Sequence, residues 1–130
     1  MIRALARLLL AVIFIKGGTE AFLNPGGRPA RVARFGIPQP ERAVVLNGAT
    51  MVVAGSALAL GWLPRLAAAV LLASLVPTTI VGHPFWQEHD PQTRQAQQTQ
   101  FFKNLGLMGG LLLVLLEESG TRTGQTRAQS

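Results

Sequence analysis

The chain has 130 residues, 48% of them hydrophobic and 14% charged, with a net charge of +6 and no cysteine. At this length it forms one domain at most, and the missing thiols exclude disulfides, thiolate zinc sites, iron–sulfur ligation and thiol redox chemistry. So apolar a short chain lacks the polar residues to cover itself in water, which makes a bilayer its natural solvent. The arginines are dispersed among apolar runs without a basic-aromatic pattern, which excludes nucleic acid as a partner and leaves topology and anionic headgroups as their use.

Ile2 to Leu23 is the first apolar run, interrupted by Arg3, Arg7, Lys16 and Glu20. Arg3 and Arg7 before Leu8 to Ile15 resemble the start of a signal peptide, and Thr19-Glu20-Ala21 weakly resembles a cleavage site. Lys16 and Glu20 beside the apolar core suit a retained functional helix better. Next comes NPGGRPARVARFGIPQPER, where Arg28, Arg31 and Arg34 recur every third residue while Val32 and Phe35 point elsewhere. That spacing predicts a short amphipathic helix on the headgroups, closed by Gly36, with Arg28, Arg31, Arg34 and Phe35 touching lipid; an irregular basic loop is the alternative.

Ala43 to Trp62 carries no charge and has about the ~20 residues a bilayer core requires. Leu66 to Val81 follows so short a turn, Leu63-Pro64-Arg65, that the two form an antiparallel hairpin with Pro64 at a helix start. Pro77 is expected to kink or unwind the third span. Leu105 to Leu116 is short, roughly 18 Å at ~1.5 Å per residue. Asp90 as N-cap and Pro91 at the first helical position extend it into one helix from about Asp90 to Glu117, its first two turns in water.

The fold class is therefore all-α: an integral membrane four-helix bundle with a short interfacial helix between helices one and two. It occupies residues 1–118, and the polar tail 119–130 is expected to be disordered. Gly106 and Gly110 form a GxxxG, and Gly48 and Gly55 a small face, read as internal packing before a homo-oligomer face.

With four spans, the first and third loops share one side of the membrane. Lys16, Glu20, Asn47, Thr78, Thr79, Lys103 and Asn104 then lie toward the same leaflet as His83 and Trp86, while Ser56 is the notable polar side chain of the other half. Ionisable residues within a membrane are costly, so this one-sided cluster is the candidate ligand site. A structural reading competes: Lys16 and Glu20, four apart, can pair on their own helix, both lysines can snorkel, His83 can cap the third helix and Trp86 can anchor at the interface.

His83, Glu88, His89 and Asp90 show neither HExxH nor facial-triad spacing, so no metal site is assigned. Both histidines lie in a loop, which argues against haem. No nucleophile with an adjacent base, phosphate loop or dinucleotide fingerprint is present, and no catalytic residue is assigned.

The segments RLLLAVIFIKGGTEAFLNPG, PERAVVLNGATMVVAGSALALGWLPRLAAAVLLASLVPTTIVGHPFW and TQFFKNLGLMGGLLL resemble the DoxX family of small bacterial membrane proteins, its actinobacterial branch in particular. The resemblance covers about residues 3 to 116, and PTTIVGHPFW with FFKNLGLMGGLLL is its most specific part. It implies a four-helix protein of the bacterial cytoplasmic membrane associated with quinone-linked or oxidant-resistance redox systems. It supplies no catalytic residue set.

The expected function is thus a non-catalytic subunit or scaffold of a membrane redox system, with redox proteins as partners and quinone as the cofactor left open. Lys16, Glu20, Asn47, Thr78, His83, Trp86, Lys103 and Asn104 would surround the ligand. The alternative is a small-molecule or proton-coupled carrier in which Glu20 and His83 titrate and Pro77 flexes. A membrane enzyme with a loop metal ranks below both. Lys and Arg near the span ends number six on the loop side and five on the other, so charge alone does not orient the protein.

Overall fold

In the computed structural model, residues 1–116 are described, and all their regular structure is helical. Helix α1 spans Ile2–Leu23, α2 Arg28–Arg34, α3 Pro40–Leu60 and α4 Pro64–Gly82. A 3₁₀ turn at Phe85–Gln87 leads into α5, Pro91–Gln129, whose described part runs to Leu116. The all-α class and the helix between the first two long helices follow the sequence expectation. The tail expected to be disordered, 119–130, lies outside the described residues.

Proline starts three of the helices. Pro40, Pro64 and Pro91 each occupy the opening turn, where the missing N–H would have had no helical partner. Asp90 caps α5 as expected: its Oδ2 accepts from the Thr93 N–H at 3.1 Å and the Thr93 hydroxyl at 2.8 Å. Gly36, at φ 75°, turns the chain just after α2, as the sequence suggests. The expected disruption at Pro77 is not local unwinding, because α4 continues through it to Gly82. Two hydroxyls beyond the proline bond back along the helix, Thr78 to the Ser74 carbonyl and Thr79 to the Leu75 carbonyl, each at 2.7 Å.

The long helices form an up-down-up-down ring in which α1 packs on α3, α3 on α4, α4 on α5, and α5 returns more sparsely to α1. The α1–α3 seam is the tightest. A Cβ on Gly18 would stand 2.6 Å from the Gly48 carbonyl oxygen, and one on Gly48 would stand 2.7 Å from that of Gly18. With little hydrophobic drive between helices in lipid, such backbone approach supplies the packing contacts. Phe14, Leu58, Leu71 and Leu111 fill the middle of the ring among alanines. Leu9, Val53, Leu60, Leu66, Leu105 and Leu113 face outward, the arrangement of a protein whose solvent is hydrocarbon.

Three helical segments are long and apolar enough to cross a membrane: Pro40–Leu60, Pro64–Gln87 and Pro91–Leu116. Helix α1 is as long but carries Arg3, Arg7, Lys16 and Glu20. Internal packing by glycine holds for Gly48 and Gly55, which meet α1, and for Gly110, which meets Leu10. It does not hold for Gly106, where a Cβ would meet nothing within 4 Å, and Gly109, for which no packing role is expected, is equally open.

Candidate functional site

The ring is filled at its middle and hollow at the end that carries α2. There the four long helices and α2 border a half-open cavity of about 820 Å³ that is lined by residues of all five. The expected convergence of the first and third loops is realised by a direct contact, since Arg31 Nη1 donates to the Gly82 carbonyl at 3.2 Å. Arg28 likewise donates to the Asn24 carbonyl at 3.2 Å. Each guanidinium thus satisfies a carbonyl at a helix end, at the negative pole of the α4 and α1 dipoles respectively. Arg34 and Phe35 are exposed and do not line the cavity, whereas Arg28 and Arg31 do.

The cavity has three levels. At its mouth stand Lys16, Glu20, Arg28, Arg31 and Lys103, all well exposed. Lys16 Nζ lies 3.1 Å from the Glu20 carboxylate, the within-helix pair its spacing allows, and Arg28 reaches the same carboxylate at 3.9 Å. Lys103 donates to Gln100 Oε1 one turn earlier on α5. Below the mouth come His83, Asn47, Thr78 and Asn104, and Phe14, Met51, Leu75 and Leu107 form an apolar floor.

The middle level is already bonded. Ser74 Oγ donates to Asn47 Oδ1 at 2.7 Å, and Asn47 Nδ2 donates to Thr78 Oγ1 at 2.9 Å, which ties α3 to α4. Asn104 Nδ2 donates to the buried Thr79 hydroxyl at 3.0 Å, which ties α5 to α4. These are interhelical polar locks of the kind that hold membrane bundles together. They also leave Asn47, Thr78 and Asn104 facing the cavity with fixed orientations. His83 Nδ1 pairs with Gln97 Oε1 at 2.7 Å, which joins the end of α4 to the wet first turns of α5.

Seven of the eight residues expected to surround a ligand therefore line one cavity: Lys16, Glu20, Asn47, Thr78, His83, Lys103 and Asn104. Trp86 does not. It belongs to an aromatic cluster with Phe85 at 5.4 Å and Phe101 at 5.8 Å between ring centroids, edge to face, which pins the 3₁₀ turn to α5. Among the described residues no three His, Asp or Glu side chains gather as metal ligands. Sequence reasoning missed Ser74, Gln97 and Gln100. The last two share a helix face with Asn104 at spacings of three and four, a signal present in the glutamine run but read there only as polarity.

Similarity to known proteins agrees with this architecture. The DoxX family profile matches residues 2–84, so the chain belongs to the DoxX family. It is 25% identical over 116 residues to the "Inner membrane protein YphA" of Escherichia coli (strain K12), covering 89% of this chain and 82% of that protein. It is 34% identical over 76 residues to the "Uncharacterized membrane protein Rv3486" of Mycobacterium tuberculosis, covering 58% of this chain and 47% of that protein. No solved structure matches the chain.

Proposed function

We propose that this DoxX-family membrane protein is a non-catalytic subunit of a redox system, and that it holds the head of a small amphiphile in the loop-end cavity. The observation that carries the reading is the meeting of polar residues from five separate helices over an apolar floor in one cavity of about 820 Å³. Ligand sites of this size are typically apolar with a few converging polar groups. The name of the E. coli relative supports a place in the bacterial inner membrane. The antiparallel packing of α1 along α3 supports a reading with four crossings, α1 being the charged one.

Quinone fits the donor set. Its carbonyls would accept from Lys16 or Lys103, its hydroxyls would donate to Glu20 or to Nε2 of His83, whose Nδ1–H is engaged by Gln97, and its ring would rest on Phe14, Met51 and Leu107. A bound quinone supplies two-electron, two-proton chemistry; the protein's own residues bind the head and offer it a proton donor and acceptor. In intact membranes His83→Ala and Glu20→Gln are expected to lower quinol-linked electron flow several-fold, and deletion of the gene to raise oxidant sensitivity. Unchanged flux and sensitivity, with no redox enzyme copurifying in mild detergent, would remove the proposal. A carrier is disfavoured because Phe14, Leu58, Leu71 and Leu111 plug the ring below the cavity and α4 is continuous through Pro77.

A further inference from the structure

We infer that the cavity selects an amphiphile with an oxyanion head, a carboxylate or phosphate on an apolar chain, whose chain leaves sideways between α1 and α5. The inference rests on the proposed ligand role of the cavity and adds the class of ligand. Charge favours such a head. The mouth is lined by four basic side chains, Lys16, Arg28, Arg31 and Lys103, and by a single carboxylate, Glu20. Glu20 is within reach of two of the cations, so its charge is shared between Lys16 and Arg28. Arg31 bonds a neutral carbonyl and Lys103 a neutral amide, so neither has its charge compensated by those partners. The unbalanced excess lies on the α2–α5 side of the mouth, where an oxyanion would meet a guanidinium and an ammonium, the two groups that bond such heads most strongly.

Shape gives the chain its exit. Of the four seams in the ring, α1–α5 is the sparsest. It closes near the middle of the molecule, where Leu10 covers Gly110. Toward the cavity, Gly17 on α1 and Gly106 on α5 have nothing within 4 Å of where a Cβ would stand. Ile13 and Leu107 line the cavity from these same two helices. A chain that runs out through this gap stays against apolar side chains while its head stays at the cations, and no other seam offers that combination.

The test is native mass spectrometry of the full-length protein, released from a neutral detergent, with probes of matched chain length. Oleoyl lysophosphatidic acid is expected to bind about tenfold more tightly than monooleoylglycerol, and to lose about tenfold in the Arg31→Gln/Lys103→Gln variant. The preference should also shrink in the unaltered protein as ionic strength rises, which needs no variant to fold. Inorganic phosphate in large excess should fail to displace the lysolipid; displacement would make the site one for a free oxyanion and overturn the lipid chain. Equal binding of the anionic and neutral probes overturns the inference, and decylubiquinone retained under those conditions and blocked by Gly17→Trp would leave the cavity's ligand role standing. Retention of none of these probes would end both.

Discussion

At the scale of single residues the glycines separate into two kinds that look alike in the sequence. Gly48 faces the Gly18 carbonyl oxygen at 2.7 Å from its would-be Cβ, whereas Gly109 faces open space. Gly48→Ala is therefore expected to cost about 1–3 kcal/mol through backbone displacement, while Gly109→Ala is neutral or gains up to about 1 kcal/mol of helix propensity. Thermal unfolding in detergent distinguishes them, and equal stability of the two variants would contradict the packing described. Asn47 shows how a residue can be picked correctly for an incomplete reason. Its position near the cavity follows from span counting alone, but its bonds to Ser74 and Thr78 depend on the rotation of α3 against α4, which no single span encodes. Asn47→Ala should lose about 1 kcal/mol from these bonds. The loss should be much smaller in a Ser74→Ala/Thr78→Val background, the signature of a shared network.

At the scale of elements the most legible feature is the start of α5. Twelve apolar residues are too few to span a bilayer, so Asp90-Pro91 had to begin the helix early, and Thr93 bonded to Asp90 is the result. Those two bonds hold the Asp90 carboxyl below its usual pKa. A carboxylate with a lowered folded pKa stabilises above its unfolded pKa, about 3.9, and loses that contribution as pH falls through the folded value. Amide protection at residues 92–95, taken against the intrinsic exchange rate at each pH, should therefore be high at neutral pH and fall below about pH 4. Asp90→Ala should show the low protection at every pH; a cap indifferent to both changes would contradict the assignment. The short helix α2 was equally legible, because arginines every third residue within a Pro/Gly-rich segment have few other regular forms. What was not legible is that Arg28 and Arg31 turn inward to helix-end carbonyls while Arg34 turns away. Amphipathic spacing defines a face but not what the face meets. Trp86 lies outside the cavity for a related reason, since its ring finds Phe101, ten residues beyond the start of α5.

At the scale of the whole molecule, parity carried most of the information. Once four antiparallel helices are counted, Lys16, Glu20, Asn47, Thr78, Lys103 and Asn104 fall to one end, and the hollow lies among them, whereas Leu58, Leu71 and Leu111 fill the ring beyond it. The hollow itself could not be read from the chain, because cavity volume depends on how closely glycines bring α1 to α3 and how loosely α5 meets α1. Its presence is the ground for proposing the loop end as the functional half of the protein. The most direct measurement of that claim is photocrosslinking with a diazirine-bearing decylquinone or lysolipid in reconstituted membranes, followed by peptide mapping. Labels are expected on residues 13–21 of α1 and 100–107 of α5, suppressed by Gly17→Trp. Labels confined to the outward positions Leu9, Val53 and Leu113, and unaffected by that substitution, would contradict a loop-end site.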